Sequence, residues 1–290
     1  MRTTDTLQRF LFENNPIRGS LVRLDSAFRA ARDCHPYPAG AAQLLGEALA
    51  ASALLSASIK HHDSLILQVQ ADGPVRLVVA QCTGGRSLRG LVRWSGTVAK
   101  GRLNEVCNNG LLVITIDPGK DQERYQGMVD LTGNTIAQSI ERYFAQSEQL
   151  ATRLWLVANS KSAAGLFLQR VPGEPRDTDA WERVQRLGAT ISPRELLELS
   201  SYELLYRLFH EEDLRVFESE VVTFRCTCSR ERIENVLRSL EHRELTAILR
   251  QEGHVSVSCE FCNRRYDFDA VDVGRLFVAN IQPEMPFTRQ

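Results

Sequence analysis

From about Leu21 to Leu168, apolar and polar positions alternate or form short apolar runs bounded by turn residues, which is typical of strands. Short turns such as Asp72-Gly73-Pro74 separate neighbouring runs and favour antiparallel hairpins. The pattern therefore predicts an α+β fold whose N-terminal part is a mainly antiparallel sheet with covering helices. The predicted strands are Ser64–Gln70, Val75–Cys82, Leu88–Trp94, Leu111–Asp117, Tyr125–Leu131, Arg153–Val157 and Gly165–Gln169.

Apolar residues at helical spacing mark helices in the same region and dominate the next one. Ala41–Ile59 and Asn134–Phe144 carry such stripes, so we expect these helices to cover the sheet. After the turn-rich segment 172–175, capping-box patterns begin at Ser192 and Ser200. The helices that follow are short, and short helices need a surface to pack on. Their apolar stripe consists of Leu204, Leu205, Leu208 and Phe209.

The pattern changes again near residue 220. Apolar positions after Ser229 predict one helix, and a second helix is predicted to end at Gly253. Strand-like alternation then runs on both sides of Cys259 and Cys262, which places this CxxC motif at the tip of a β-hairpin. The predicted domains are an N-terminal α/β core domain (1–175), a helical linker domain (176–220) and a small C-terminal domain (221–290).

The composition changes this picture by excluding several function classes. The chain has 290 residues and a formal net charge of −1, so no basic field attracts nucleic acid or an anionic membrane. Met1–Asn15 has no apolar core of the kind found in signal peptides. The stretch 39–59 is too polar for a membrane span and suits a core helix. We therefore expect a cytoplasmic protein with neither a nucleic-acid nor a membrane partner.

The seven cysteines are distributed unevenly along the chain. In a protein expected in the cytoplasm they argue against a structural disulfide framework. The isolated Cys34, Cys82 and Cys107 fit small buried hydrophobic residues, although a reactive thiol beside His35 is the alternative for Cys34. The other four form two close pairs, which are Cys226 with Cys228 and Cys259 with Cys262.

The paired cysteines supply four soft sulfur ligands for a metal. Zinc prefers tetrahedral coordination by thiolates, with Zn–S distances of about 2.3 Å. A bend between Cys226 and Cys228, together with the hairpin knuckle, would aim all four at one ion. We therefore predict one Zn²⁺ per chain, bound within a small domain whose thin core depends on it for folding. Two unrelated thiol pairs, or a zinc site that only stabilises this domain, are the plainer alternatives.

The two pairs also suggest a redox switch. Zinc closes a long loop from residue 226 to residue 262, whereas disulfides between neighbours close tiny rings that restrain the unfolded chain little. Oxidation that joins Cys226 to Cys228 and Cys259 to Cys262 is therefore expected to release the zinc and unfold the domain. Nearby arginines either offset the thiolate charge or are ordinary solvated side chains: Arg225, Arg230, Arg264 and Arg265.

Two other classes of protein use similar cysteine patterns. A zinc-ribbon nucleic-acid module needs a basic footprint, but ten arginines balance ten acidic residues in 221–290. A thiol–disulfide oxidoreductase places CxxC at a helix N-terminus, whereas Cys259 and Cys262 lie between strand-like segments. The sequence also has no P-loop, HExxH or GxSxG motif. We therefore predict that the protein is not an enzyme.

With these cysteines placed, the chain resembles the redox-regulated thirty-three-kilodalton heat-shock protein family of bacterial chaperones over nearly its whole length. The most specific part of the resemblance is CxC, thirty intervening residues and then CxxC. Ala151 and Asn263 depart from the family pattern, which favours proline and glycine there, but neither is a candidate ligand. Further matching segments are Arg9–Glu13, Leu44–Glu47, Asp72–Pro74, Ile114–Asp117 and Tyr143–Gln149.

The resemblance implies an ATP-independent holdase that is inactive in its reduced, zinc-bound form. In the family, peroxide with mild unfolding, or hypochlorous acid, joins the neighbouring cysteines, ejects zinc and unfolds the C-terminal domain. The helical middle segment then becomes labile, and the protein dimerises and binds unfolding clients. For this chain the resemblance implies unfolded client proteins as partners, a homodimer when activated, and zinc ligands that become redox-active disulfides at Cys226, Cys228, Cys259 and Cys262.

Overall fold

The computed structural model describes residues 5–59, 63–99, 101–119 and 122–278. Contacts within it divide the chain into two compact units, 1–225 and 226–290. The strands in the described residues, numbered along the chain, are β1 (Thr6–Phe12), β2 (Ile17–Leu24), β3 (Ser64–Gln70), β4 (Val75–Thr83), β5 (Ser87–Trp94), β6 (Leu111–Asp117), β7 (Tyr125–Asp130), β8 (Thr152–Ala158), β9 (Ala163–Arg170), β10 (Leu214–Val216), β11 (Glu220–Val221), β12 (Thr223–Phe224), β13 (Val255–Ser258) and β14 (Arg265–Phe268).

Helices connect and cover these strands. A π-helical turn, Phe144–Glu148, continues the fourth helix. The α-helices in the same described ranges are α1 (Ser26–Arg32), α2 (Ala39–Ser56), α3 (Leu103–Val106), α4 (Ile136–Tyr143), α5 (Ala180–Ala189), α6 (Pro193–Glu198), α7 (Ser201–Phe209), α8 (Arg230–Arg238), α9 (His242–Glu252) and α10 (Ala270–Val278).

The first unit contains two six-stranded sheets. One has the order β10-β1-β2-β9-β8, with β11 also pairing with β1, and all of its pairs are antiparallel. The other has the order β12-β5-β4-β3-β6-β7, in which only β12 and β5 are parallel. The predicted α+β class with mainly antiparallel pairing is confirmed, and the strands are divided between two sheets.

Helix α2 forms the centre of this unit because it packs against both sheets. It is rich in alanine, and Ala48, Ala50 and Ala53 are completely buried. Small side chains let the strands approach the helix closely on several sides. By length and composition α2 could cross a membrane, but 78% of it is buried inside the protein. It is therefore a core helix, as its interrupting polar residues predict.

A second core lies on the opposite face of the β1–β2–β9 sheet. There the phenylalanines of β1 meet α7, with the rings of Phe12 and Phe209 5.3 Å apart and edge to face. The predicted capping boxes are confirmed: the Ser192 hydroxyl accepts from the Glu195 amide, and the Ser200 hydroxyl accepts from the Glu203 amide. The predicted apolar stripe of α7 is buried against this sheet face.

All seven strands predicted from alternation are present, with boundaries that differ by at most two residues. Strands β1 and β2 were not predicted, because both of their faces are covered and their polar residues interrupt the alternation. Gln8 and Ser20, for example, are buried within these strands. The division into domains 1–175, 176–220 and 221–290 stays a prediction.

Candidate metal centre

The second unit is built around a short hairpin and three helices. Strands β13 and β14 pair antiparallel, with Val257 opposite Tyr266. Helix α8 begins at the predicted cap, where the Ser229 hydroxyl accepts from the Arg232 amide, and α9 ends at Gly253 with a φ of +77°. The small core consists of Leu237, Leu245, Val255, Phe268, Val273 and Leu276.

The hairpin ends in a tight knuckle that carries two of the cysteines. The Cys259 amide donates to the Arg264 carbonyl at 2.9 Å, and the Asn263 amide donates to the Cys259 carbonyl at 2.7 Å. Asn263 has a φ of +56°, a left-handed conformation that asparagine tolerates better than most residues. Asparagine can therefore fill this position, where the family pattern favours glycine.

The other two cysteines precede α8 in a segment without regular secondary structure. The backbone between them is held by Arg232, whose Nη1 donates to both the carbonyl and the hydroxyl of Thr227 at 2.7 Å. Because Thr227 lies between Cys226 and Cys228, this contact fixes the backbone that separates the two sulfurs.

The structure brings all four predicted sulfurs together, within 4.8 Å of one another. The Sγ atoms of Cys226 and Cys259 are 3.6 Å apart, and those of Cys228 and Cys262 are 3.4 Å apart. These distances are much longer than a disulfide bond of about 2.0 Å. They are close to the edge of about 3.8 Å that follows from tetrahedral Zn–S bonds of about 2.3 Å. The donor set and its spacing therefore fit a single thiolate-bound metal ion.

The cluster lies near the surface of its unit. Cys259 is buried, at 9% exposure, whereas the other three side chains are partly exposed. Small diffusible molecules can therefore reach the three partly exposed cysteines without prior unfolding of the unit.

Within the four thiols, the environment favours ionisation at one position. Burial raises the pKa of Cys226 and of Cys262, and contacts with neighbouring sulfurs reinforce the effect at Cys262. Burial acts in the same direction at Cys228. Hydrogen bonds from Tyr266 and from the other sulfurs outweigh it, however, and lower the pKa of Cys228 to about 7. Because a metal binds the thiolate form, Cys228 is the cysteine whose surroundings favour metal binding near neutral pH, whereas those of Cys226 and Cys262 oppose it until a cation is present.

The sequence did not identify Tyr266 as part of this site. Its hydroxyl donates a hydrogen bond to the Cys228 Sγ at 3.2 Å. The alternation of β14 shows only that Tyr266 lies on one face of the hairpin. Its contact with Cys228 depends on which part of the hairpin the CxC segment packs against. A tyrosine four residues after the CxxC motif was therefore a weak signal in the sequence.

The flanking arginines have different surroundings. Arg230 bridges to Asp272 at 2.7 Å and lies over the Phe268 ring, so it stabilises the body of the unit. Arg265 pairs with Asp267 at the surface of the hairpin. The Tyr266 hydroxyl and the charges of Cys228 and Cys262 raise the pKa of Arg264, so this guanidinium interacts favourably with the sulfur cluster.

The isolated cysteines lie in the first unit. Cys82 and Cys107 are buried, and burial raises the pKa of each to about 11. They are small core residues, as predicted. Cys34 differs from that prediction because it is partly exposed near the end of α1, where its thiol donates to the Ala30 carbonyl at 3.1 Å.

Comparison with known proteins gives consistent results. The family model described as Hsp33 protein matches residues 5–269. A 33 kDa chaperonin from Nitrosococcus oceani is 50% identical over 289 residues, covering 100% of both chains. One from Methylobacillus flagellatus is 43% identical and covers 97% of both. The crystal structure of the 33 kDa chaperonin from Thermotoga maritima aligns with a TM-score of 0.82 at 27% identity, over 94% of this chain and 97% of that one.

Proposed function

Because the chain belongs to the Hsp33 family, we propose that it is a redox-regulated, ATP-independent holdase chaperone that protects unfolding proteins from aggregation. The single observation that carries the proposal is the convergence of four cysteine sulfurs within 4.8 Å, from two segments far apart in the sequence. We propose that they bind one Zn²⁺ per chain in the reduced protein. When bound, zinc crosslinks the CxC segment to the hairpin and keeps the four sulfurs as thiolates.

Oxidation then acts on the ligands themselves. A thiolate attacks one oxygen of hydrogen peroxide, the O–O bond breaks and hydroxide leaves, so that the sulfur becomes a sulfenic acid. The neighbouring thiolate attacks this sulfur, an S–S bond forms and a second hydroxide leaves. Two thiolates have then lost two electrons to one peroxide. Two such events would join Cys226 to Cys228 and Cys259 to Cys262, and the cluster would keep no thiolate for zinc.

Loss of the four ligands removes the main long-range link of the C-terminal domain, 221–290. Its core contains six buried apolar side chains, which is few for independent folding. We propose that this domain unfolds, that the helical linker 176–220 then loosens, and that the protein dimerises and binds unfolded clients in the cytoplasm. Support comes from the linker packing, since its helices are short and depend on the sheet face that they cover.

The rival functions fit the site less well. Cys259 and Cys262 lie on a hairpin knuckle, whereas a catalytic CxxC benefits from a helix N-terminus that stabilises the attacking thiolate. The balanced charge of 221–290 gives nucleic acid no basic surface. We therefore propose neither enzymatic activity nor nucleic-acid binding.

The experiment follows zinc and holding activity in one peroxide titration of the reduced, zinc-loaded protein. A chromogenic chelator reports released zinc, and light scattering reports aggregation of thermally unfolding malate dehydrogenase. We expect one zinc per chain to be released as suppression of aggregation appears. Cys262→Ser should lack full zinc occupancy, whereas Cys34→Ser, whose cysteine lies outside the cluster, should behave as wild type. Zinc release without any gain in holding activity would contradict the chaperone proposal.

A further inference from the structure

One hydroxyl group reaches the four-sulfur cluster from outside its ligand set. Tyr266 is on β14, and its O–H donates to the Sγ of Cys228 at 3.2 Å. In the described part of the chain, Cys228 is the cluster sulfur that accepts a hydrogen bond from a hydroxyl group. The contact therefore makes the four ligands chemically unequal.

The position of this hydroxyl is fixed by the fold of the unit. The Tyr266 ring is half-buried and packs against the small core, and its backbone pairs with Val257 across the hairpin. The Arg264 side chain also interacts with the same hydroxyl. A side chain held by the packing of its ring and by the pairing of its strand loses little further freedom when it donates to the sulfur, so the contact is pre-organised.

A hydrogen bond to a thiolate changes its reactivity. The donor is attracted to the same lone-pair density that the sulfur must give to an electrophile, and hydrogen bonds to ionised groups are the stronger ones. A sulfur that attacks peroxide converts this density into an S–O bond, and the hydrogen bond must weaken as it does so. The partner groups of metal ligands commonly tune the ligands in this way.

We propose that Tyr266 is a positioning residue that shields Cys228 from peroxide and thereby sets the rate at which the zinc–thiolate centre is oxidised. This inference rests on the proposed function, because it concerns the same four ligands. The chemical step is the one given above: the Cys228 sulfur forms a bond to one peroxide oxygen, the O–O bond breaks and hydroxide leaves. Tyr266 takes no part in the exchange of electrons and acts only through its hydrogen bond to the sulfur.

The test compares wild type with Tyr266→Phe, which keeps the ring and removes only the hydroxyl. The matched control is Tyr125→Phe, which removes a hydroxyl that donates to Glu148 in the first unit, far from the cluster in sequence. Each full-length, zinc-loaded protein is mixed with a series of peroxide concentrations, and the initial rate of zinc release is measured with a chromogenic chelator. The slope of the zinc-release rate against peroxide concentration measures the reaction of the sulfur with peroxide. If unfolding of the unit limited zinc release, the rate would not depend on the peroxide concentration.

We expect the slope for Tyr266→Phe to be about three- to tenfold steeper. Complete loss of a hydrogen bond to a charged group would produce more than about tenfold, and only part of this bond is lost as the S–O bond forms. The control should match wild type. In protein reconstituted with Co²⁺, the sulfur-to-cobalt charge-transfer band of Tyr266→Phe should move to lower energy, since a thiolate without the donor gives up its electrons more easily. A role in folding alone would not move this band.

Equal slopes in Tyr266→Phe and wild type, or faster release that is independent of peroxide, would overturn the inference. An unchanged charge-transfer band would also overturn it. Wild-type protein that retains its zinc in peroxide would contradict the proposed function itself. By contrast, if the wild-type protein releases its zinc in peroxide and Tyr266→Phe has the same slope, only the proposed role of Tyr266 is contradicted.

Discussion

Removal of the Glu220 carboxylate should destabilise the first unit, because it leaves a buried guanidinium without its anion. The Nε of Arg86 lies 2.8 Å from one carboxylate oxygen of Glu220, and its Nη1 donates to the carbonyl of Ser56 at 2.7 Å. Arg86 thus connects β11 to the end of the core helix α2. Its side chain is only 7% exposed, so water cannot replace the lost partner.

The magnitude follows from the exposure of the two side chains. Breaking a fully buried ion pair by removing one partner costs about 3–5 kcal/mol. Glu220 is 31% exposed and Arg86 keeps the Ser56 carbonyl, so for Glu220→Gln we expect a loss of about 2 kcal/mol. In a unit of this size, that loss should lower the melting temperature by about 4–8 °C.

Tryptophan fluorescence during urea unfolding measures this loss selectively. The chain's three tryptophans, Trp94, Trp155 and Trp181, all lie in the first unit, so their signal reports unfolding of that unit in the intact protein. The control is Glu182→Gln, which removes the partner of Arg186 from a pair whose side chains are 64% and 78% exposed. Exposed pairs contribute under about 1 kcal/mol. Equal losses in the two variants would refute the argument from burial.

Two further predictions concern the first unit. In Gly127→Ala the new Cβ would lie 2.4 Å from the Tyr143 ring and displace it. The free energy of unfolding in the same urea assay should therefore fall by about 1–3 kcal/mol. An unchanged free energy of unfolding would contradict this close approach. In native, zinc-loaded protein at pH 8, iodoacetamide should alkylate Cys34 but not Cys82 or Cys107, because thiols with a pKa raised to about 11 are almost entirely protonated there. Mass spectrometry after brief treatment checks this, and early modification of Cys82 would contradict its burial.

The strands that the sequence predicted most accurately are those whose pattern matches a single buried face. Strand β3 alternates cleanly between buried and more exposed residues, so Ser64–Gln70 is correct to the residue. Strand β9 was predicted only in its centre because nearly every residue in it is buried, which removes the alternation. Strands β10, β11 and β12 contain two or three residues each and depend on β1 and β5 for their pairing. No local pattern could have indicated them.

The candidate site was predictable for a different reason. Zinc requires particular ligand types in a particular number, so two cysteine pairs indicate one centre even without knowledge of the fold. The contacts around the four sulfurs are not fixed by any such requirement for residue type or number. Arg230 and Arg264 look alike in the sequence, yet one pairs with Asp272 while the other lies beside the Tyr266 hydroxyl. Their different roles depend on the three-dimensional path of the hairpin.

Zinc K-edge absorption of the reduced protein, combined with metal analysis, tests the central claim most directly. Four sulfurs that share one ion predict one zinc per chain and a first shell of four sulfur atoms at about 2.3 Å. After peroxide treatment, the same sample passed over a desalting column should retain no zinc. A reduced protein with markedly less than one zinc per chain, or a first shell with nitrogen or oxygen in place of sulfur, would contradict the account.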